Sequence, residues 1–287
     1  MARSIIVRKN ILASAVCLMF IQLFFSCTPL GFFHKTVLQK RNDDIPSEFG
    51  RRCELAGELV QDDRMAWSTS DTIAAEKPML LDTTDQTWFV YLLNNRRFAY
   101  YGRFSPEDDQ YYPKYAFIKN LHGMVERLPP SVDDTTLSYA RAVHTGSVFF
   151  TALIDSLQQD ISFNHYIRRL PDNSYTVWFF PAGYDDYFAH GLDIKLSIDS
   201  TGTSVTDYKI SGRFPRYFEI TQKDRTIELD NSYDSIPSLG NLFFMYMNRE
   251  HFRKIVIINT ASTSTMVYKP DKNEWVWVHT PKQQTIP

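Results

Sequence analysis

Glycine is scarce in this chain, with 11 residues among 287. Phosphate-binding loops need glycine because their backbone must approach the phosphate closely. Neither G-x-x-x-x-G-K-[ST] nor G-x-G-x-x-G occurs, and G-x-S-x-G and H-E-x-x-H are also missing. The sequence therefore lacks the motifs of P-loop nucleotide binding, dinucleotide binding, serine hydrolysis of the G-x-S-x-G type and zincin-type proteolysis.

Excess charge is also missing, since the whole chain has a formal net charge of -2. Residues 1–26 contain Arg3, Arg8 and Lys9 and no acidic residue; the rest of the chain has 28 basic and 33 acidic side chains, a net charge of -5. A mildly acidic body offers no electrostatic footprint for nucleic acid and no reason for its folded surface to bind anionic lipid. We therefore expect no nucleic-acid partner.

The remaining composition is that of an ordinary globular protein, with 44% hydrophobic and 22% charged residues. We therefore expect the bulk of the chain to be ordered. Aromatic residues reach 15%, which favours strands and half-buried sheet faces. No cofactor is indicated by any of these patterns.

The N-terminal segment has the order of a secretory signal. Three basic residues precede an apolar stretch at 11–25, and the small residue Ser26 precedes Cys27. This order resembles a bacterial lipoprotein signal, in which the cysteine becomes the new N-terminus and carries lipid. The resemblance implies a signal peptide at 1–26 and a lipid-anchored tether at 27–48. The body is then expected in the cell envelope, in the periplasm or at the cell surface.

An uncleaved membrane helix at 11–33 is the main alternative, because this stretch is mostly apolar and long enough to span a bilayer. Pro29 and Gly31 disfavour a continuous helix there. A plain secreted form is a third possibility. With the signal removed and Cys27 lipidated, Cys53 is the only cysteine left, so no intrachain disulfide can form. We expect Cys53 to be a buried structural thiol.

Hydrophobic periodicity predicts an α+β fold in which a predominantly antiparallel β-sheet packs against one long helix. That helix is predicted at about 131–159, where apolar residues recur at helical spacing. Ser131-x-x-Asp134 resembles a capping box at its start. The helix and the strands after it define a predicted domain at 129–287.

A smaller N-terminal α+β portion is predicted at 49–128. It begins with a short amphipathic helix at 49–62, followed by a Thr-, Ser- and Asp-rich segment at 66–86 that is typical of a loop. Two β-rich runs then flank Asn94-Asn95, which predicts a hairpin because asparagine tolerates the positive φ of a tight turn.

In the second half of the chain the hydrophobic period is two. "DIKLSIDSTGTSVTDYKI" is the clearest predicted hairpin, "YFEIT" and "TIELD" are expected to pair, and "NLFFMYMNREHF" is compatible with helix or strand. The last two strands are predicted to form a hairpin. The stretch "HYIRRLPDNSYTVWFFPAGYDDYFAHGLDIKLSIDSTGT" resembles part of uncharacterised bacterial envelope proteins, which implies a helix leading into strands and no particular chemistry.

The first candidate site is the loop "AGYDDYFAHGLD". Asp185, Asp186 and His190 lie there within a few residues, followed by Asp193. Carboxylates beside an imidazole are suited to acid–base catalysis, and the nearby aromatics could wall such a site. The spacing matches no metal motif, so no metal ligand is predicted. The alternative is a solvated loop with turn-forming aspartates.

The second candidate is an aromatic row on the last predicted strand. Trp275, Trp277 and His279 project to one side, and Val276 and Val278 to the other. If exposed, such a row would stack on sugar rings or bury in a protein partner. Because both faces of the strand are apolar, burial in the core is the favoured interpretation.

These observations support two hypotheses of function. The first is a lipid-anchored envelope protein without enzymatic activity, which binds a protein or glycan partner and is held to the membrane through its N-terminal lipid. The second is a hydrolase that uses Asp185, Asp186 and His190. Convergence of these side chains in a concave pocket with a further polar group would favour the second hypothesis.

Overall fold

The computed structural model describes residues 47–76, 87–120, 123–157, 161–184, 186–212, 214–220 and 225–282. Cys27, Asp185, the predicted signal peptide and most of the predicted tether lie outside these residues. In the described part of the chain, no helix combines the length and the apolar character needed to cross a membrane.

The described residues form three α-helices and fourteen strands. The helices are α1 (Ser47–Glu76), α2 (Asp134–Leu157) and α3 (Leu239–Asn248), and a 3-10 turn, Arg249–His251, follows α3. The strands are β1 (Thr87–Leu93), β2 (Arg96–Ser105), β3 (Gln110–Lys119), β4 (Val125–Leu128), β5 (Phe163–Arg169), β6 (Tyr175–Pro181), β7 (Tyr187–His190), β8 (Asp193–Ile198), β9 (Val205–Ser211), β10 (Arg216–Glu219), β11 (Thr226–Asn231), β12 (Lys254–Asn259), β13 (Ser262–Lys269) and β14 (Glu274–Pro281).

The strands form three four-stranded sheets and one short ribbon. Sheet A has the order β1-β2-β3-β4, and sheet B has the order β5-β6-β8-β9; both are antiparallel. Strands β7 and β10 pair as an antiparallel ribbon. Sheet C has the order β11-β12-β13-β14, and its first two strands are parallel. The predicted α+β class with a dominant antiparallel sheet is therefore confirmed.

Helices pack on both faces of sheets A and B, which the alternation of side chains along the strands explains. In β1, Phe89 and Tyr91 belong to the apolar cluster around α2, whereas Val90 between them belongs to a cluster that contains α1 residues. In β6, Phe179 packs in the α2 cluster and Trp178 in a second cluster with α1. Both faces are apolar because each is covered by a helix.

The expectation of one long helix is not confirmed, because α1 is also long and extends into the segment 66–86 that was predicted as loop. Its C-terminal half buries Ala66, Thr69 and Ile73 against sheet A. The Thr69 hydroxyl lies 2.7 Å from the Met65 carbonyl oxygen and 2.6 Å from the Tyr101 hydroxyl oxygen. Tertiary packing and these hydrogen bonds overcome the weak helix propensity of threonine and serine.

Helix α2 begins later than its predicted capping box. The N-terminal cap is provided by Asp133, whose Oδ1 accepts a hydrogen bond from the Thr136 backbone N–H at 2.7 Å. Ser131 and Asp134 therefore do not form the expected box. An aspartate serves equally well at this position because its carboxylate satisfies an N–H that has no partner within the helix.

The hairpins around Asn94-Asn95 and between β8 and β9 are confirmed. Asn94 and Asn95 have φ values of 50° and 60°. The expected pairing of "YFEIT" with "TIELD" is wrong: β10 pairs with β7, and β11 pairs in parallel with β12. The segment of ambiguous pattern forms α3, which provides the crossover that parallel strands require.

Contacts group the described residues into a large unit, 47–267 with 277–282, and a small unit, 268–276. In the small unit the rings of Tyr268 and Trp275 lie 5.3 Å apart. In the large unit, one apolar cluster contains residues from both sides of the predicted boundary at 128/129.

Candidate functional site

A cavity of about 420 Å³ lies within the large unit. Helix α1 contributes Asp63 and Trp67 to its wall, and α3 contributes Gly240, Phe243, Phe244, Met247 and Asn248. The remaining wall comes from strands β5 and β6 and from the segment that leads into β8: Asn164, Tyr166, Phe180, Pro181, Gly183, Tyr184, Tyr187, Phe188, Ala189, His190 and Asp193. The cavity therefore lies at the loop that sequence patterns indicated, with two helices closing it.

Asp193 is the most unusual group in this wall. It is the first residue of β8 and is only 8% exposed. Its carboxyl packs against Gly240 in the first turn of α3, so closely that a Cβ at Gly240 would lie 1.8 Å from Asp193 Oδ2. Among the described residues, no side chain or backbone group hydrogen-bonds this carboxyl. Burial raises the pKa of Asp193 to about 7.

His190 lies at the end of β7 and is 6% exposed. Its ring centroid is 4.9 Å from that of Phe244. Burial lowers the pKa of His190 to about 4, the Asn241 side chain opposes this shift, and the charge of Arg216 adds to it. The imidazole is therefore neutral at pH 7 and presents one acceptor and one donor nitrogen.

Asp63 is a second buried carboxyl at the cavity. The Tyr166 hydroxyl donates a hydrogen bond to Asp63 Oδ1 at 2.6 Å. Burial raises the pKa of Asp63 to about 6; the Tyr166 hydrogen bond opposes the rise, and the charge of Asp62 adds to it. The site thus contains two carboxyls that titrate near neutral pH.

Asp62, next to Asp63 in the chain, has a different environment. Its Oδ1 lies 2.9 Å from Arg97 Nε, and its Oδ2 forms an ion pair with Arg168. These two guanidinium groups compensate a carboxylate that is almost fully buried, and they join α1 to sheets A and B. Asp62 therefore has a structural explanation within the fold, whereas the two cavity carboxyls have no such ion pair in the described structure.

Three exposed aromatic side chains stand at the cavity: Trp67, Tyr184 and Tyr187. Trp67 is 60% exposed, which is unusual for so large an apolar side chain. The Tyr184 ring lies 6.0 Å from that of Tyr217 in the β7–β10 ribbon. Flat apolar surfaces beside buried polar groups are characteristic of small-molecule sites.

A buried row of amide side chains fixes the first turn of α3 beneath Asp193. Asn241 Nδ2 donates to Asn231 Oδ1 at 2.9 Å, and Asn231 Nδ2 donates to Asn259 Oδ1 at 2.7 Å. Asn259 Nδ2 then donates to Ser264 Oγ at 2.7 Å, which lies 2.8 Å from His279 Nδ1. Asn231 and Asn259 are direct partners in the parallel β11–β12 pair.

This row has a consistent direction, with each amide donating away from the cavity. The Asn241 oxygen is consequently left at the cavity end and has no partner of ordinary geometry among the described groups. The Asn241 side chain nevertheless opposes the lowering of the His190 pKa by burial. The row therefore holds the helix turn under Asp193.

The residues expected to form the first candidate site have different positions. His190 lines the cavity. Asp186 is exposed and does not line the cavity; its backbone oxygen accepts from the Ile220 N–H at 3.0 Å. Asp185 lies outside the described residues. No group of three or more His, Cys, Asp or Glu residues in the described ranges is placed to hold a metal ion.

The aromatic row of the second candidate site is not displayed as a whole. Trp277 is 1% exposed, and its ring lies 5.2 Å from Phe49 and 6.4 Å from Tyr246. It therefore belongs to the core of the large unit, as the apolar character of both strand faces had indicated. Trp275 is half-buried and lies in the small unit.

Asp63 and Trp67 are two of the cavity residues that the sequence patterns missed. They lie four residues apart, one turn along α1, in a stretch that was predicted to be at or beyond the end of a helix. Two adjacent acidic residues in a helix ordinarily lie on its solvent-exposed face. No local signal distinguishes Asp63, which is buried, from an exposed aspartate.

Comparisons with models of known protein families, with curated proteins and with solved structures found no match to this chain. The function of the cavity must therefore be inferred from its own chemistry.

The raised pKa of Asp193 predicts a pH-dependent cost to folding. Because the pKa is about 7 in the folded chain and 3.8 ordinarily, the folded chain binds the additional proton between these values. Its stability through this group therefore falls as pH rises from about 4 to about 7. Asp193→Asn, which cannot ionise, should exceed the wild type in free energy of unfolding by about 2 kcal/mol or more at pH 8.

Urea denaturation at pH 5, 6, 7 and 8 measures this difference, which should grow from pH 5 to about pH 7 and then level off. Asp172→Asn is the matched control, because Asp172 is exposed and hydrogen bonds from Ser174 hold its pKa low. A difference between Asp193→Asn and wild type that stays constant from pH 5 to pH 8 would contradict an uncompensated carboxyl.

Proposed function

We propose that the protein is a ligand-binding protein of the bacterial cell envelope, anchored by lipid at Cys27, whose cavity takes a small organic molecule or a protruding group of a partner. The observation that supports this is the Asp193 carboxyl, which faces the cavity without a hydrogen-bond partner among the described residues. A buried polar group that lacks a partner costs about 1–3 kcal/mol. A group that destabilises the fold and lines a cavity is explained by a ligand that completes it.

The aromatic side chains at the cavity support a binding role as well. Trp67 and Tyr187 retain large exposed faces beside the cavity instead of packing into the core. The volume of about 420 Å³ falls within the range of cavities that bind small molecules. A bound ligand would cover these rings and gain apolar contact area with them.

The anchoring part of the proposal is supported by the N-terminal sequence alone. Fifteen apolar residues suit a signal h-region and are short for a spanning helix. A mature lipoprotein with two or more acyl chains is held stably at a membrane, whereas one chain is held weakly.

Changing Cys27→Ser should abolish lipid attachment and signal removal, because the thiol is the acylated group. Mass spectrometry of the purified N-terminus should show a diacylated or triacylated Cys27 in the wild type and an unmodified Met1 or Ala2 start in the variant. Cys53→Ser is the control and should keep the lipid, since burial raises the pKa of the Cys53 thiol to about 12 and leaves it unreactive. A wild-type chain that begins at Met1 without lipid would overturn the anchor.

A hydrolase remains the second candidate, and one observation favours it. The pKa values of Asp63 and Asp193 are raised to about 6 and about 7. Carboxyls with pKa values in this range act as general acids or bases, and the neutral His190 lines the same cavity. The catalytic groups would then be these carboxyls with His190. Turnover of a compound that binds in the cavity, lost in Asp193→Asn, would establish this alternative.

The binding role predicts that the cavity itself selects ligands. We expect saturation-transfer NMR of the full chain in detergent to detect ligands from a fragment library of cations, anions and neutral polyols. Trp67→Ala should weaken these hits about tenfold, because a stacked aromatic face contributes on the order of 1 kcal/mol or more. Tyr112→Ala is the control, since Tyr112 is exposed to a similar extent but lies outside the cavity wall. No hit, or hits that both variants bind equally, would contradict the proposal.

A further inference from the structure

The cavity has acidic groups without basic ones. Two carboxyls, Asp63 and Asp193, line it together with the neutral His190, and none of the described residues in its wall is lysine or arginine. Arg97 and Arg168 bind Asp62. Arg216, whose charge acts on His190, lies outside the wall and donates to the Glu228 carbonyl oxygen at 2.7 Å. Ionisation of the cavity carboxyls therefore leaves negative charge that no side chain of the wall neutralises.

The aromatic side chains of the cavity wall also favour a cation. Tyr184, Tyr187, Phe188 and Phe243 present rings to the cavity, and Trp67 stands at it with an exposed face. The face of an aromatic ring attracts cations through its quadrupole, most strongly for tryptophan. Carboxyls combined with aromatic rings are the side chains that bind an organic ammonium group, and they offer little to an anion.

We propose that the ligand of this cavity carries an organic ammonium group, which donates a hydrogen bond to the Asp193 carboxylate and lies among the aromatic rings. The inference rests on the proposed binding function and names the chemical class of its ligand. Asp193 is the better partner of the two carboxyls, because Oδ1 of Asp63 already accepts from Tyr166.

The groups around Asp193 are consistent with this role. Burial raises the pKa of the Tyr233 phenol to about 12, and the charge of Asp193 adds to this rise. The neutral His190 and the first turn of α3, whose positive dipole end favours an anion, complete its surroundings. Three side chains influence the pKa of Asp63: Asp62 raises it, and Tyr166 and Arg64 lower it. Among the described residues, none of these groups places a full positive charge on the Asp193 carboxyl, and a bound ammonium group would provide one.

Ammonium binding should be coupled to loss of a proton from Asp193. An adjacent cation lowers the pKa of a carboxyl, so a proton held in the empty cavity leaves when the cation binds. Affinity should consequently rise with pH, by up to about tenfold per pH unit below the pKa of the empty site. A neutral polyol does not require Asp193 to lose its proton. Its affinity should therefore fall or stay constant as the pH rises.

Isothermal titration calorimetry of the full chain in detergent tests the inference with three compounds that share a benzene ring and differ in the charge of their polar group. They are benzylamine, benzyl alcohol and benzoate. Benzylamine should bind at least about tenfold more tightly than either of the others at pH 7.5, and this preference should shrink at pH 5.5. Two further probes, 1,4-diaminobutane and Nα-acetyl-lysine methylamide, distinguish a free amine from the lysine side chain of a partner.

Asp193→Asn should remove the preference for benzylamine and its pH dependence while benzyl alcohol binds as before. Asp63→Asn is the second variant, expected to weaken benzylamine to a smaller extent, and it keeps the test valid if Asp193→Asn does not fold. Asp172→Asn should match the wild type. Cavity binding of benzyl alcohol or benzoate without a preference for amines would overturn the ammonium inference and leave the binding function intact. If no probe binds and the fragment library gives no hit, both are overturned.

Discussion

The approach of the Asp193 carboxyl to the backbone of Gly240 is the constraint from which the site follows. The contact joins the start of β8 to the first turn of α3, and a side chain at position 240 would force the Asp193 carboxyl to move. Asp193 is left only 8% exposed, and its carboxyl has no hydrogen-bond partner among the described residues. The cavity is thus built around one polar group whose requirements the folded chain does not meet.

The rest of the large unit holds this arrangement in place. Parallel pairing of β11 and β12 places Asn231 beside Asn259, and their amides reach Asn241 in α3. The helix turn therefore cannot move away from Asp193 without breaking several buried hydrogen bonds, each worth about 1 kcal/mol. On the opposite wall, the ion pairs of Asp62 fix α1, which positions Asp63 and Trp67. The Asp62 carboxyl is therefore paired with two arginines, whereas no ion pair reaches the Asp193 carboxyl among the described residues.

Much of the fold could be predicted from local patterns. The hairpins at Asn94-Asn95 and between β8 and β9 follow from alternation and turn chemistry, and α2 follows from its apolar spacing. The second half of α1 could not be predicted, because its Thr- and Ser-rich sequence is helical only through burial against sheet A. The parallel β11–β12 pair was missed because pairing of sequence neighbours is the default, and only the identification of α3 as a crossover helix changes it.

Sequence patterns located one wall of the candidate site. The loop before β8 was singled out for its clustered acids and His190, and the cavity lies there. The partners of that loop are distant in the chain: Asp63 and Trp67 come from α1, and Gly240 comes from α3. The burial of Asp193 depends on these distant elements, so no local feature distinguishes it from the exposed Asp186.

Direct titration of the Asp193 carboxyl by NMR is the most direct test of this account. In the full chain labelled with ¹³C-aspartate, with Asp193→Asn as the assignment control, the Asp193 Cγ resonance should titrate with a midpoint near pH 7 in the absence of ligand. Saturating benzylamine should move that midpoint below about pH 5, because the adjacent cation stabilises the carboxylate. A midpoint near 3.9 without ligand, the ordinary aspartate value, would show that the carboxyl is already satisfied and would contradict the account.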